Sequence, residues 1–106
     1  MSKIWQVSKI TTMFFGERIK QLREEKGLLQ RQLAASLEMD TPMFSKIERG
    51  ERKAKREQVE QLADLLHADG STLISIWLAD QILDLIQNEP QATEAIEIVK
   101  NELKKA

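Results

Sequence analysis

At 106 residues the chain has room for one domain with a modest core, and 42% hydrophobic with 31% charged residues is a globular balance. It has no Cys and a single His, His67, which excludes disulfides and Cys-based zinc sites and leaves little for Cys or His nucleophile schemes. The net charge of −1 hides a division: residues 1–56 carry 13 Lys/Arg against 7 Asp/Glu, and residues 57–106 carry 3 against 10. A front half of +6 and a back half of −7 offer one face to a polyanion and another to a different partner.

Residues 1–13 precede the first helical pattern. Ile4, Trp5, Val7 and Ile10 follow no clean helical period, so the stretch reads as a flexible N-terminal segment, with an ordered arm as the alternative. It lacks the apolar core of a signal peptide. No run approaches the ~18 apolar residues that span a membrane, and a cytoplasmic location without membrane contact is expected.

Phe15, Ile19 and Leu22 recur at helical spacing, and Gly27 stands where a left-handed cap would stop that helix. A second helix over residues 30–37 turns Leu33, Ala34 and Leu37 inward, with Ala34 small enough for a close helix crossing. Glu38-Met39-Asp40 interrupts the pattern. Thr41-Pro42 restarts it, because Pro suits the first helical turn; Thr41 is the expected N-cap and Asp40 the alternative. Phe44 and Ile47 then point inward, Ser45, Lys46 and Arg49 outward, and Gly50 ends the helix. Two short amphipathic helices joined by a tight turn, the second polar on its outer face, describe a helix-turn-helix.

The run LLQRQLAASLEMDTPMFSKIERG resembles the phage-repressor and Cro-like helix-turn-helix family, also called the xenobiotic-response-element (XRE) family. The resemblance covers residues 14–68 and is most specific at Gln30, Leu33-Ala34 and Ser45-Lys46-Ile47-Glu48-Arg49-Gly50. It implies an all-α fold: a five-helix, lambda-repressor-like DNA-binding domain over residues 14–69. It also implies a job for particular residues. Gln30 would hold a DNA phosphate. Thr41, Pro42, Ser45 and Lys46 would face base edges in the major groove, with Lys46 the best reader because a cation pairs well with guanine O6 and N7. Arg23 and Glu48 would form a structural ion pair between the first and third helices. The chain departs from the family pattern at Leu29, where a Ser or Thr cap is usual, at Glu38, where the turn usually has Gly, and at the Thr41-Pro42 opening.

Residues 49–56 contain five cations and one acid. Most such runs are solvated loops, but this one follows the implied recognition helix and would lie over the phosphate backbone. Arg49, Arg52 and Lys53 are the expected phosphate contacts, ahead of Lys55 and Arg56. Val59, Leu62, Ala63 and Leu66 predict a fourth helix over residues 56–68, ended by Asp69-Gly70, with His67 at its edge.

Ser71 is expected to cap a long helix reaching residue 87. Its apolar residues, Ile74, Ile76, Leu78, Ala79, Ile82, Leu83, Leu85 and Ile86, cover about 200° of the circumference, where one small core needs about 100°. Asp80 and Asp84 lie on the remaining face and read as solvated acids. Pro90 is expected to begin a last helix with Ala92, Ala95, Ile96, Val99 and Leu103 on one stripe. Residues 70–106 are therefore expected to form a C-terminal helical dimerisation arm, pairing two chains through Ile74, Leu78, Ile82, Leu85, Ile86, Ile96, Val99 and Leu103. An intramolecular cap over the domain is the alternative.

The function expected is a bacterial-type, sequence-specific transcriptional regulator, a homodimer on double-stranded DNA at a near-palindromic operator. Compact relatives of that kind include restriction-modification controllers and antitoxins that repress their own operons. The alternative is an antitoxin or other interaction protein whose C-terminal surface binds a partner protein, with DNA binding secondary. No phosphate-cradling Gly-rich loop, metal constellation or triad is present in the sequence, so no enzymatic activity, cofactor or metal is expected.

Overall fold

The computed structural model describes residues 14–105; the reading of residues 1–13 lies outside them. Six helices follow one another: α1 (Phe15–Glu25), α2 (Gln30–Ser36), α3 (Thr41–Glu48), α4 (Arg56–Leu66), α5 (Gly70–Ile86) and α6 (Ala92–Lys105). Among the described residues there is no strand, and no helix is long and apolar enough to cross a membrane.

The helix starts rest on few capping groups. Asp40, not Thr41, caps α3: its carboxylate accepts the Met43 N–H at 2.8 Å. The carboxylate meets the positive end of the helix dipole with a full charge, which a Thr hydroxyl lacks, and Thr41 becomes the first helical residue. Asp69 likewise begins α5 instead of ending α4, accepting the Thr72 hydroxyl at 2.6 Å and its N–H at 3.3 Å. Those two bonds hold the Asp69 carboxyl below its usual pKa. Ser71, the expected cap, lies inside the helix. At α2 and α4 a Gln three residues past the cap substitutes for a capping hydroxyl. Gln32 accepts the Leu29 N–H at 2.7 Å and Gln58 the Lys55 N–H at 2.9 Å. The missing Ser or Thr at position 29 is thus offset from inside the helix.

Helix ends use left-handed residues, two of them not glycine. Gly27 and Gly50 have φ of 68° and 77°, and Glu38 and His67 adopt 58° and 53°. His67 stops α4 at Leu66, short of the expected residue 68, and the Ala68 N–H returns to the Ala63 carbonyl at 2.9 Å. Glu38 makes the turn between α2 and α3, where Met39 N–H reaches the Ala34 carbonyl at 3.0 Å. A left-handed L-residue costs about 1–2 kcal/mol, and Gly adds about 0.5–1 kcal/mol of unfolded-chain entropy. Glu38→Gly is accordingly expected to raise stability by about 0.5–1 kcal/mol, read as a higher urea midpoint. An unchanged or lower midpoint contradicts this account of the turn.

The core joins Phe15 and Ile19 of α1, Leu33 and Ala34 of α2, Phe44 and Ile47 of α3, Val59, Leu62, Ala63 and Leu66 of α4, and Leu73 of α5. Leu37 and Ala54 enter it from the connections. Gly16 sets the approach of α1 to α3, because a Cβ there would collide with the backbone carbonyls of Ile47 and Glu48. No residue of α6 is buried, and that helix begins at Ala92, two residues past Pro90, which lies in the preceding turn.

α5 turns an unexpected face to the domain. Leu73 is fully buried and Trp77 packs against the core, while Asp80, read as a solvated acid, accepts the Phe15 N–H at 2.8 Å. Phe14 provides no side-chain cap for α1, so Asp80 does so from 65 residues away. Burial pushes the Asp80 carboxyl above its ordinary pKa; the Phe15 bond opposes that shift, and Asp84 and Glu17 add to it. The opposite arc of α5 is left open, with Leu78, Ile82 and Leu85 exposed at 45%, 46% and 79%.

Candidate nucleic-acid interface

The outer side of α3, the start of α2 and the front of the loop after α3 are joined by side-chain hydrogen bonds, Gln30 to Glu48 and Arg49 to Ser45 and Glu51. Pro42, Lys46, Arg49, Arg52 and Lys53 are exposed, and Gln30, Thr41, Met43 and Ser45 are half-buried. Lys46 has no ion-pair partner among the described residues.

Beneath that surface Arg23 and Glu48 meet as a forked pair. Arg23 Nε donates to Glu48 Oε2 at 2.7 Å and Nη2 to Oε1 at 3.1 Å. The third guanidinium nitrogen, Nη1, donates to the Leu28 carbonyl at 2.9 Å. The pair is buried, with Arg23 8% and Glu48 4% exposed. The hydrogen bond that Arg23 donates to Glu48 raises the Arg23 pKa, desolvation opposes it, and the charges of Glu48 and Glu24 add to the rise. Burial on both sides locks α1 to the last turn of α3, so the angle at which α3 is presented is fixed by charge geometry as well as by apolar packing.

Glu48 also accepts Gln30 Nε2 at 2.8 Å. A primary amide has two N–H donors, so Glu48 orients Gln30 while leaving one donor for an outside acceptor. Further out, Arg49 Nη1 donates to Ser45 Oγ at 2.6 Å. Arg49 Nε and Nη2 donate to Glu51 at 2.9 and 3.3 Å. Glu51 raises the Arg49 pKa, and Arg49 in turn lowers that of Glu51. Two residues assigned separately from the sequence, Ser45 and Arg49, therefore form one cluster, with Glu51 as its overlooked third member. The exposed Arg49–Glu51 pair is of the kind that an incoming anion displaces readily. Arg52 and Lys53 stand apart from this cluster; Lys53 Nζ donates to Gln81 Oε1 at 3.3 Å.

The back of the loop abuts α5. Ala54 is buried, and its carbonyl accepts the Trp77 indole N–H at 2.8 Å. A shallow crevice of about 220 Å³ remains between loop and helix, lined by Phe15, Ile47, Arg52, Trp77, Asp80 and Asp84 among others. Among the described residues no group of three His, Cys, Asp or Glu could hold a metal ion. Sequence spacing pointed to neither Trp77 nor Asp80, since both partners lie far away along the chain.

A family model described as a helix-turn-helix domain matches residues 15–73, more than half of the chain. The chain belongs to the helix-turn-helix family, of the XRE/Cro-like type. In this helix-turn-helix protein the match takes in α1 to α4 and the first turn of α5, ending at the buried Leu73. No curated protein and no solved structure matches the chain.

Proposed function

We propose that the protein is a sequence-specific DNA-binding transcriptional regulator that acts as a homodimer, through α3, on a near-palindromic operator. The observation that carries the reading is the exposed, cationic end of α3 and the loop that follows it: Lys46, Arg49, Arg52 and Lys53 are all exposed, Arg49 is bonded to Ser45, and Gln30 is held by Glu48. Lys46, Ser45 and Thr41 supply groups able to hydrogen-bond to base edges, with Pro42 limited to apolar contact. The spare amide proton of Gln30, together with Arg49, Arg52 and Lys53, grips phosphates and supplies affinity without sequence choice. Arg49 exchanges Glu51 for a phosphate oxygen on binding.

Two substitutions separate these roles. Lys46→Ala is expected to lower affinity for the preferred operator by about 1–3 kcal/mol and to relax preference at one or two base pairs. Arg52→Ala is expected to weaken binding to all duplexes about equally and to make the salt dependence shallower by about one unit of slope. Titration of operator and random duplexes at several salt concentrations measures both. If both variants bind like the parent, the assignment of this surface fails.

The open apolar arc of α5, together with the exposed Val99 and Leu103 of α6, supports pairing of two chains, since exposed apolar surface of this extent rarely stays bare. Ile74 packs instead against the domain's own core, and Ile86 and Ile96 are half-buried. The same arc would serve the second reading, in which a partner protein such as a toxin occupies it. A stable homodimer that shifts DNA alone speaks for the first reading, and co-purification of a different subunit for the second.

A further inference from the structure

The loop after α3 has cations on its outside and little holding it from within. At its front end the Glu51 N–H returns to the Lys46 carbonyl at 2.9 Å, and at its back end the Lys55 N–H is taken by Gln58 at 2.9 Å. Between those ends, among the described residues, the hydrogen bond that ties the loop backbone to the rest of the fold comes from Trp77. Its indole N–H reaches the Ala54 carbonyl at 2.8 Å across 23 residues of sequence. One turn further along α5, Gln81 takes the Lys53 ammonium on the same side.

We infer that Trp77 is a positioning residue for the phosphate grip, making α5 a strut between the cationic loop and the apolar arc. The inference rests on the DNA-binding reading above. The geometry favours it for three reasons. Trp77 is packed against the core, so its ring has a fixed place from which to hold the carbonyl. A buried Trp gains from satisfying its single N–H, and the Ala54 carbonyl gains a partner it would otherwise lack in a half-dry setting. Arg52 and Lys53 precede Ala54 directly, so a shift of that peptide moves both cations. Leu78 follows Trp77 on the helix and faces outward. Whatever covers Leu78, Ile82 and Leu85 therefore leans on the same rigid element that sets the loop.

The consequence is specific. Trp77 acts on phosphate contacts, not on base reading, so its loss should weaken operator and random duplex alike. Trp77→Phe keeps an apolar ring and removes the donor. The expected result is a parent-like oligomeric state and a roughly 3- to 30-fold loss of affinity for both duplexes, with a salt slope shallower by about 1–2 units. Hydrogen exchange in residues 52–54 should rise, with protection of α1 and α4 unchanged. A parent-like salt slope, or a loss confined to the operator, overturns the inference.

The parent protein provides a test that no variant can confound by failing to fold. The Trp77 indole proton, distinguished from that of Trp5 by the Trp5→Phe spectrum, should exchange slowly with solvent and shift when random duplex is added. A freely exchanging indole proton, or one indifferent to duplex that is demonstrably bound, sinks the proposal. If the parent binds no duplex at all, the DNA-binding reading itself falls, while slow indole exchange would still establish the clasp.

Discussion

Arg23→Met is expected to destabilise the protein by about 3–5 kcal/mol, the range for removing one partner of a buried ion pair. The substitution keeps most of the side-chain volume, so the loss comes from charge. Glu48, 4% exposed, would keep only the Gln30 amide on Oε1, and nothing would replace the fork on Oε2. The Leu28 carbonyl would lose its donor as well. The double variant Arg23→Met/Glu48→Leu tests the cause. With both charges gone the desolvation penalty disappears, and most of the lost stability should return. It should not return completely, because the Leu28 carbonyl and the Gln30 amide are still left short. Urea denaturation of the parent, the two single variants and the double variant gives the coupling directly. A single-variant loss below about 1 kcal/mol would place the pair among exposed contacts, contrary to its burial. The domain contains some 92 described residues, 14–105, and domains of this size have only about 5–15 kcal/mol in total. The single change therefore threatens folding at growth temperature.

With the proposed pairing through α5, Ile82→Glu is expected to keep two chains apart and to weaken operator binding about 10²- to 10⁴-fold, the gain that a linked second half-site supplies. Ile82 lies in the middle of the open arc of α5, 46% exposed and outside the core, so a carboxylate there is harmless to an isolated chain. In a paired chain it would be buried opposite its own symmetry mate, where two like charges repel and both lose water. Sedimentation should show a monomer at concentrations where the parent is a dimer. Thermal unfolding, extrapolated to low concentration, should match the parent. A variant that remains dimeric and binds the operator like the parent would remove this arc from the account of pairing.

Much of the helical layout was legible because it rests on local signals. Phe15, Ile19 and Leu22 share one side of α1, Gly27 adopts the left-handed cap its position suggested, and the stripe from Val59 to Leu66 makes α4. The Arg23–Glu48 pair was legible only through family resemblance, since 25 residues of sequence separate its members. Three features were obscured for physical reasons. At two helix starts a carboxylate took the place of the expected hydroxyl, Asp40 over the neighbouring Thr41 and Asp69 over Ser71 two residues on. The orientation of α5 was masked because its apolar arc is wider than one interface. The domain took the side holding Leu73, Trp77 and Asp80, using polar groups for long-range bonds, and left the more apolar side open. Periodicity measures how much apolar surface a helix has, not which neighbour takes it. Glu38 was flagged only through the family resemblance, and His67 was hidden, because a left-handed non-glycine residue carries no local signature. At the interface itself, residue type and position suggested Ser45, Lys46, Arg49 and Arg52. The Arg49–Ser45 and Arg49–Glu51 bonds depend on rotamers, which no spacing rule supplies.

Two copies of this surface are proposed to read DNA together. Selection from a pool of random duplex DNA, followed by a measurement of how many chains bind the winning sequence, tests it most directly. The expected winner is an inverted repeat with half-sites about one helical turn, ~34 Å, apart, occupied by two chains. Recovery of no enriched sequence, or of a single unrepeated site filled by one chain, would contradict it.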